Sequence, residues 1–202
     1  QANLMLFLLA YTFGRTSPKS KIKKVTNNTS TINLTGGTSQ FTGGGLTYYN
    51  VNFTALTGVI TLGYSVANIA GSNTFNNLTI TADVAATSFP ALTISGSQTI
   101  SGTFTATGAS RSIRLFVYSS VIGTTRTITT AAVSLTNVDF RDIVTAGAAG
   151  TWTGTSLGDA GGNTGITFTT AKTVYWNLAG SQNWVSTGWC TASGGTPAVA
   201  NY

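Results

Sequence analysis

The chain contains no histidine and no glutamate, and its only acids are Asp83, Asp139, Asp142 and Asp159. General acid–base chemistry near neutral pH draws mainly on histidine and on paired carboxylates, so few catalytic solutions stay open. Glycoside hydrolysis needs two carboxyl groups facing each other across the scissile bond. The closest pair here, Asp139 and Asp142, is three residues apart, which on an extended strand turns the side chains to opposite faces. The single cysteine, Cys190, excludes an intrachain disulfide and has no histidine to activate it as a nucleophile. Asp159 and Asn163 lie in a Gly-rich loop, "GDAGGNTG", but without the several carboxylates of a calcium loop they read as a turn. The expectation is a protein that is not an enzyme and holds neither metal nor cofactor.

Charge is scarce as well: 7% of residues are charged, against about 25% in an ordinary globular domain. The formal net charge of +6 is unevenly placed. Arg15, Lys19, Lys21, Lys23 and Lys24 fall within ten residues, whereas Arg111, Arg114, Arg126, Arg141 and Lys172 are nearly balanced by the four aspartates. A nucleic-acid-binding domain spreads its cations over one face of the fold, and this body does not, so no specific nucleic acid is expected. Ahead of the cations runs "ANLMLFLLAYTF", residues 2–13. It is well short of the roughly 20 apolar residues that span a bilayer, and its cations follow it rather than precede it as in a signal peptide. No membrane span is expected. Residues 1–25 read as a docking arm, with Leu4, Leu6, Phe7, Leu8, Leu9 and Phe13 seating on a protein surface and Lys21, Lys23 and Lys24 meeting an acidic partner. The alternatives are the end of a membrane segment that began upstream and an interfacial anchor.

Threonine takes roughly one position in five, with Gly, Ser, Asn and Ala supplying much of the rest. Branched Cβ atoms suit pleated surfaces, while Gly and Asn supply turns with positive φ. Residues 26–202 therefore read as one all-β domain, large enough to bury a substantial core. Four stretches share a pattern: Tyr48-Tyr49-Asn50-Val51-Asn52-Phe53, Phe75-Asn76-Asn77-Leu78-Thr79-Ile80, Phe89-Pro90-Ala91-Leu92-Thr93-Ile94 and Leu135-Thr136-Asn137-Val138-Asp139-Phe140. A large apolar residue is followed three and five positions later by two more, and the last two share one face of a strand. The first needs a bend, which an Asn in the left-handed region supplies. Loose spacing of this kind fits the coils of a parallel β-helix or β-solenoid. Thr, Ser and Asn stack on such a surface, whereas charges repel their own neighbours above and below. The alternative architecture is an antiparallel β-sandwich or jelly roll, which carries the same alternation.

The C-terminal segment, residues 171–202, holds Trp176, Trp184 and Trp189 in "AKTVYWNLAGSQNWVSTGWCTASGGTP". Alternation places Val174, Trp176 and Leu178 on one face of a strand, with Tyr175 and Asn177 on the other. Tyr175, Trp176, Trp184 and Trp189 form a candidate glycan platform, since Trp and Tyr faces stack on sugar rings. The competing assignment is a cap over the open end of a β-stack.

This segment, together with "FNNLTI" and "LTNVDF", resembles repeat modules of long bacteriophage structural proteins, tail-fibre or spike-like, and of bacterial β-helix surface adhesins. The resemblance covers residues 40–202 and implies a parallel β-helix, a virion-surface or extracellular location, and a structural role. It also implies a homo-oligomer, often a trimer, with other virion or surface proteins as partners and a host-surface glycan as a candidate ligand. The Trp-rich segment stands at the start of a unit in those modules and at the C-terminus here.

Overall fold

The computed structural model describes residues 30–36, 39–56, 66–86, 89–171, 173–178 and 187–197. They are all-β, with no helix. The strands, in chain order, are β1 (Thr31–Thr35), β2 (Gln40–Thr42), β3 (Thr47–Leu56), β4 (Ala67–Ala70), β5 (Asn73–Ala82), β6 (Ala91–Ile94) and β7 (Gln98–Thr107). β8 (Leu115–Ser119), β9 (Arg126–Arg141), β10 (Ile143–Ala146), β11 (Thr155–Asp159), β12 (Tyr175–Trp176) and β13 (Trp189–Cys190) follow. β1 to β11 form one sheet whose main path is β1-β3-β5-β7-β9-β8-β6-β4-β2, with β10 and β11 also pairing with β9.

Every ladder of this sheet is parallel, which the antiparallel sandwich alternative does not provide. The chain alternates between two runs of strands. Each circuit adds one strand to the odd-numbered run and one to the even-numbered run. The 16-residue β9 belongs to both. Its first part lies against β7 and its last four residues against β8. Between these parts the backbone turns at Asn137, with φ 54°.

Registration stacks like on like. One inward row is Leu34, Phe53, Ile80, Ala106 and Leu135, and a second is Ile32, Val51, Leu78, Phe104 and Val133. The even-numbered run contributes Ala67, Leu92, Val117 and Phe140. Outward rows are polar, as in Asn33, Asn52, Thr79, Thr105 and Ser134. Asn52 donates to Asn33 Oδ1 at 2.9 Å and Asn77 to Asn50 Oδ1 at 3.0 Å, so amides stack where charges would repel.

The repeated pattern is placed correctly in one pair and wrongly in another. Tyr48 lies opposite Phe75, but the next residue in that row is Ile100. Phe89 precedes β6 in the even-numbered run and is 70% exposed. The bend after Phe75 is a register shift against β7 between Phe75 and Leu78. Of the Asn residues in the four stretches, Asn137 alone has positive φ. In the Phe75 row, Tyr48 donates its hydroxyl to Gly43 O at 2.7 Å, and burial pushes its phenol above the ordinary value, keeping it a donor.

Candidate functional site

Each of the four carboxylates is already engaged by its own neighbourhood. Asp83 accepts the Ala85 N–H at 2.8 Å in a tight turn. Asp142, buried and at φ 57°, accepts Gly123 N–H at 3.0 Å and lies 3.5 Å from Arg141 Nε. Asp159 Oδ1 accepts Gly161 N–H at 2.8 Å and the Asn163 amide at 2.7 Å. Asn163 also donates to Phe140 O and accepts from Ile143 N–H, so the Gly-rich loop is tied to the rung beneath it as a turn. Among the described residues no three of His, Cys, Asp or Glu come together as a metal-binding group.

The most developed polar constellation on the surface centres on Arg114, which precedes β8. Its Nε and Nη2 bind Asp139 of β9 in a forked pair, with Nη2 to Oδ1 at 2.7 Å and Nε to Oδ2 at 2.8 Å. Nη1 donates to Ser156 Oγ at 2.9 Å and Nη2 to Ser156 O at 2.7 Å. Ser156, on β11, is held at φ 57°. One guanidinium thus bridges three successive circuits, in the geometry that suits arginine and not lysine. A Cβ at Gly158, directly beside Asp139, would overlap the carboxylate, so the glycine makes room for the pair. Arg114→Ala leaves Asp139 half-buried without its partner. The expected cost is about 1.5–3 kcal/mol in urea unfolding, with Arg114→Lys recovering less than half of it. Full recovery by lysine would show that charge alone matters here.

Beside this pair, Phe116 and Tyr118 of β8 stack at 4.6 Å between centroids and 19° between planes. Arg141 lies over both, 4.8 Å from the Tyr118 ring and 5.5 Å from that of Phe116. The ring stack lies within β8, and Arg141 reaches it from the adjacent rung, where it stands opposite Tyr118 as Asp139 stands opposite Phe116. The sequence reading passed over both clusters. A signal existed: the 25-residue separation of Arg114 and Asp139 is close to the length of one circuit.

The C-terminal aromatics form a separate two-stranded antiparallel sheet, β12 with β13. Trp176 and Trp189 meet edge to face at 5.1 Å and 74°. Cys190, buried, donates its thiol to Tyr175 O at 3.1 Å, and Asn177 donates to Gly195 O at 2.7 Å. The expected platform is therefore divided. Trp189 is 7% exposed and packs against Trp176, whereas Tyr175 is 41% exposed. Trp184 lies outside the described residues, as do Leu4, Leu6, Phe7, Leu8, Leu9, Phe13, Lys21, Lys23 and Lys24. Trp152, fully buried, sits in the main core beside Phe104 and Phe140, where Ile166 and Phe168 also pack. Among the described residues no helix is long and apolar enough to cross a membrane.

No protein-family model, curated protein or solved structure matches the chain.

Proposed function

We propose that the protein is a β-solenoid acting as a non-enzymatic structural subunit, a fibre, spike or decoration protein, on a virion or cell surface. The observation that carries this reading is the parallel, in-register stacking of apolar rows inside and polar rows outside, with all four carboxylates engaged locally. Such a body is stiff because every rung shares its backbone hydrogen bonds with the next. It offers no paired acids aimed at an open cleft. The likeness of "FNNLTI" and the Trp-rich segment to phage and adhesin modules points the same way. The N-terminal segment supplies the docking element, its apolar run seating on a protein surface and its lysines facing an acidic partner, in a homo-oligomer for which a trimer is one candidate. Electron microscopy with a mass measurement tests this: an elongated oligomer is expected, and a monodisperse monomer over a wide concentration range would overturn the assembly reading.

The exposure of Tyr175 favours a second reading, an adhesin module that binds a host-surface glycan through Tyr175, Trp176, Trp184 and Trp189. On a glycan array the structural reading expects no retained sugar. Binding that is lost in Tyr175→Ala while the hairpin remains folded would replace it with the adhesin reading. Trp176→Ala and Trp189→Ala are the less informative variants, because either loses the contact between the two rings and is expected to disorder β12 and β13 whichever reading holds.

A further inference from the structure

At the N-terminal end of the sheet the stack is left open among the described residues. β1 pairs with β3 alone and β2 with β4 alone, so the other edge of each carries no ladder among the described residues. The inward rows reach this end incompletely covered: Val51, Phe53, Leu78 and Ile80 are fully buried, but Ile32 and Leu34 in the same rows are only partly so. The outward amides also have a direction. Asn77 donates to Asn50, Asn50 to Thr31 Oγ1 at 3.3 Å, and Asn52 to Asn33, each toward the rung below. The ladder thus ends on a rung with nothing beneath it among the described residues. An uncovered parallel edge invites pairing, and proteins cover or blunt it.

The spacing of the rungs identifies what covers it. Successive partners in the odd-numbered run are offset by 19 residues (Thr31 and Asn50), 27 (Asn50 and Asn77), 25 (Asn73 and Gln98) and 30 (Gln98 and Ile128). Counting the same 19 to 30 residues back from Ile32 lands on residues 2 to 13, the apolar run itself. Within it Leu4, Leu6 and Leu8 alternate, so as a strand they share one face. We propose that this run adds one more parallel strand to β1 of its own chain and closes this end of the core. The inference rests on the reading that the run docks on a protein surface, and it makes that surface the chain's own edge. Arg15 to Lys24 then fall in the connection leading to β1, which leaves the lysines for an acidic partner.

Amide hydrogen exchange on the full chain tests this at those β1 amides that do not bond to β3, at two protein concentrations and with the mass measured alongside. In the unaltered protein these amides are expected to be protected equally at both concentrations. In Leu6→Asp/Leu8→Asp they should exchange at least tenfold faster, as local opening makes them, while the β7 amides stay slow. If the double substitution also releases β7, the milder Leu8→Ala is read instead, with the same ordering expected. Unprotected β1 amides in the unaltered chain would overturn the inference. Protection that appears only at the higher concentration, together with a larger mass, would assign the edge to a second copy and overturn it equally. Should the inference fall while Lys21→Glu/Lys23→Glu/Lys24→Glu still breaks up the assembly, the docking reading survives without it.

Discussion

Trp152→Ala is expected to lower the unfolding free energy by about 3–5 kcal/mol, the largest effect of any single substitution considered. The indole is fully buried, 5.3 Å from the Phe104 ring and 6.0 Å from that of Phe140. It fills the place where β9 passes from one run of strands to the other. Truncation leaves a cavity walled by rigid backbone ladders, which cannot collapse as a loosely packed helix interface can. The Trp152 Nε1 has no hydrogen-bond partner, so its polar atom is carried into the core at a cost. Trp152→Phe removes that cost along with some volume and should lose less than about 1.5 kcal/mol. Chemical denaturation of the two variants checks both, and equal losses would mean that the volume filled by the ring does not set the effect.

Gln98→Leu is expected to cost about 2–4 kcal/mol, although it replaces a polar residue in the interior with an apolar one. Gln98 is buried at the corner leading into β7. Its Nε2 donates to Gly71 O at 2.7 Å and Gly96 O at 2.6 Å, and its Oε1 accepts the Asn73 N–H and side-chain amide, each at 3.2 Å. One side chain therefore serves the turns of two successive circuits. These turns pack so closely that a Cβ at Gly96 would run into the Gly71 carbonyl. Leucine strips Gly96 O and the Asn73 N–H of the partners Gln98 gave them, and leaves Gly71 O with the Asn73 side-chain amide alone, in a space too tight for water to replace it. Thermal unfolding with Gln98→Glu as a companion separates shape from hydrogen bonding: the carboxylate keeps the acceptor and loses both donors, so it should be destabilised as well. A neutral result for Gln98→Leu would mean that water reaches these carbonyls.

What could be read from the sequence follows from what alternation encodes. Period-two patterning depends only on the pleat, so the β class and the inward positions Val51, Phe53, Leu78 and Ile80 were legible. Which strand lies beside which is not in the pleat. Phe89-Pro90-Ala91-Leu92 repeats the pattern of Phe75-Asn76-Asn77-Leu78 yet belongs to the other run, because both runs face one core and carry the same alternation. Circuit length, set by the connections, decides the matter, and the connections vary. The forked bond from Arg114 to Asp139 was hidden for the same reason: two residues 25 apart become neighbours only once the length of a turn is known. At the C-terminus the apolar alternation through Val174, Trp176 and Leu178 suggested a longer strand than the two residues that pair. There the close approach of Trp176 and Trp189, on strands with little sheet around them, shapes the hairpin instead.

The stacked register also makes the molecule a ruler with fixed graduations. Asn73 stands directly beneath Gln98, Leu78 beneath Phe104 and Ile80 beneath Ala106, so the chain between any such pair is a self-contained increment. Removing one increment would bring Val51 and Phe53 under Phe104 and Ala106, apolar on apolar, and shorten the body by one strand spacing of about 4.8 Å. Reach in such a protein can be lengthened or shortened in whole steps without redesigning its interior.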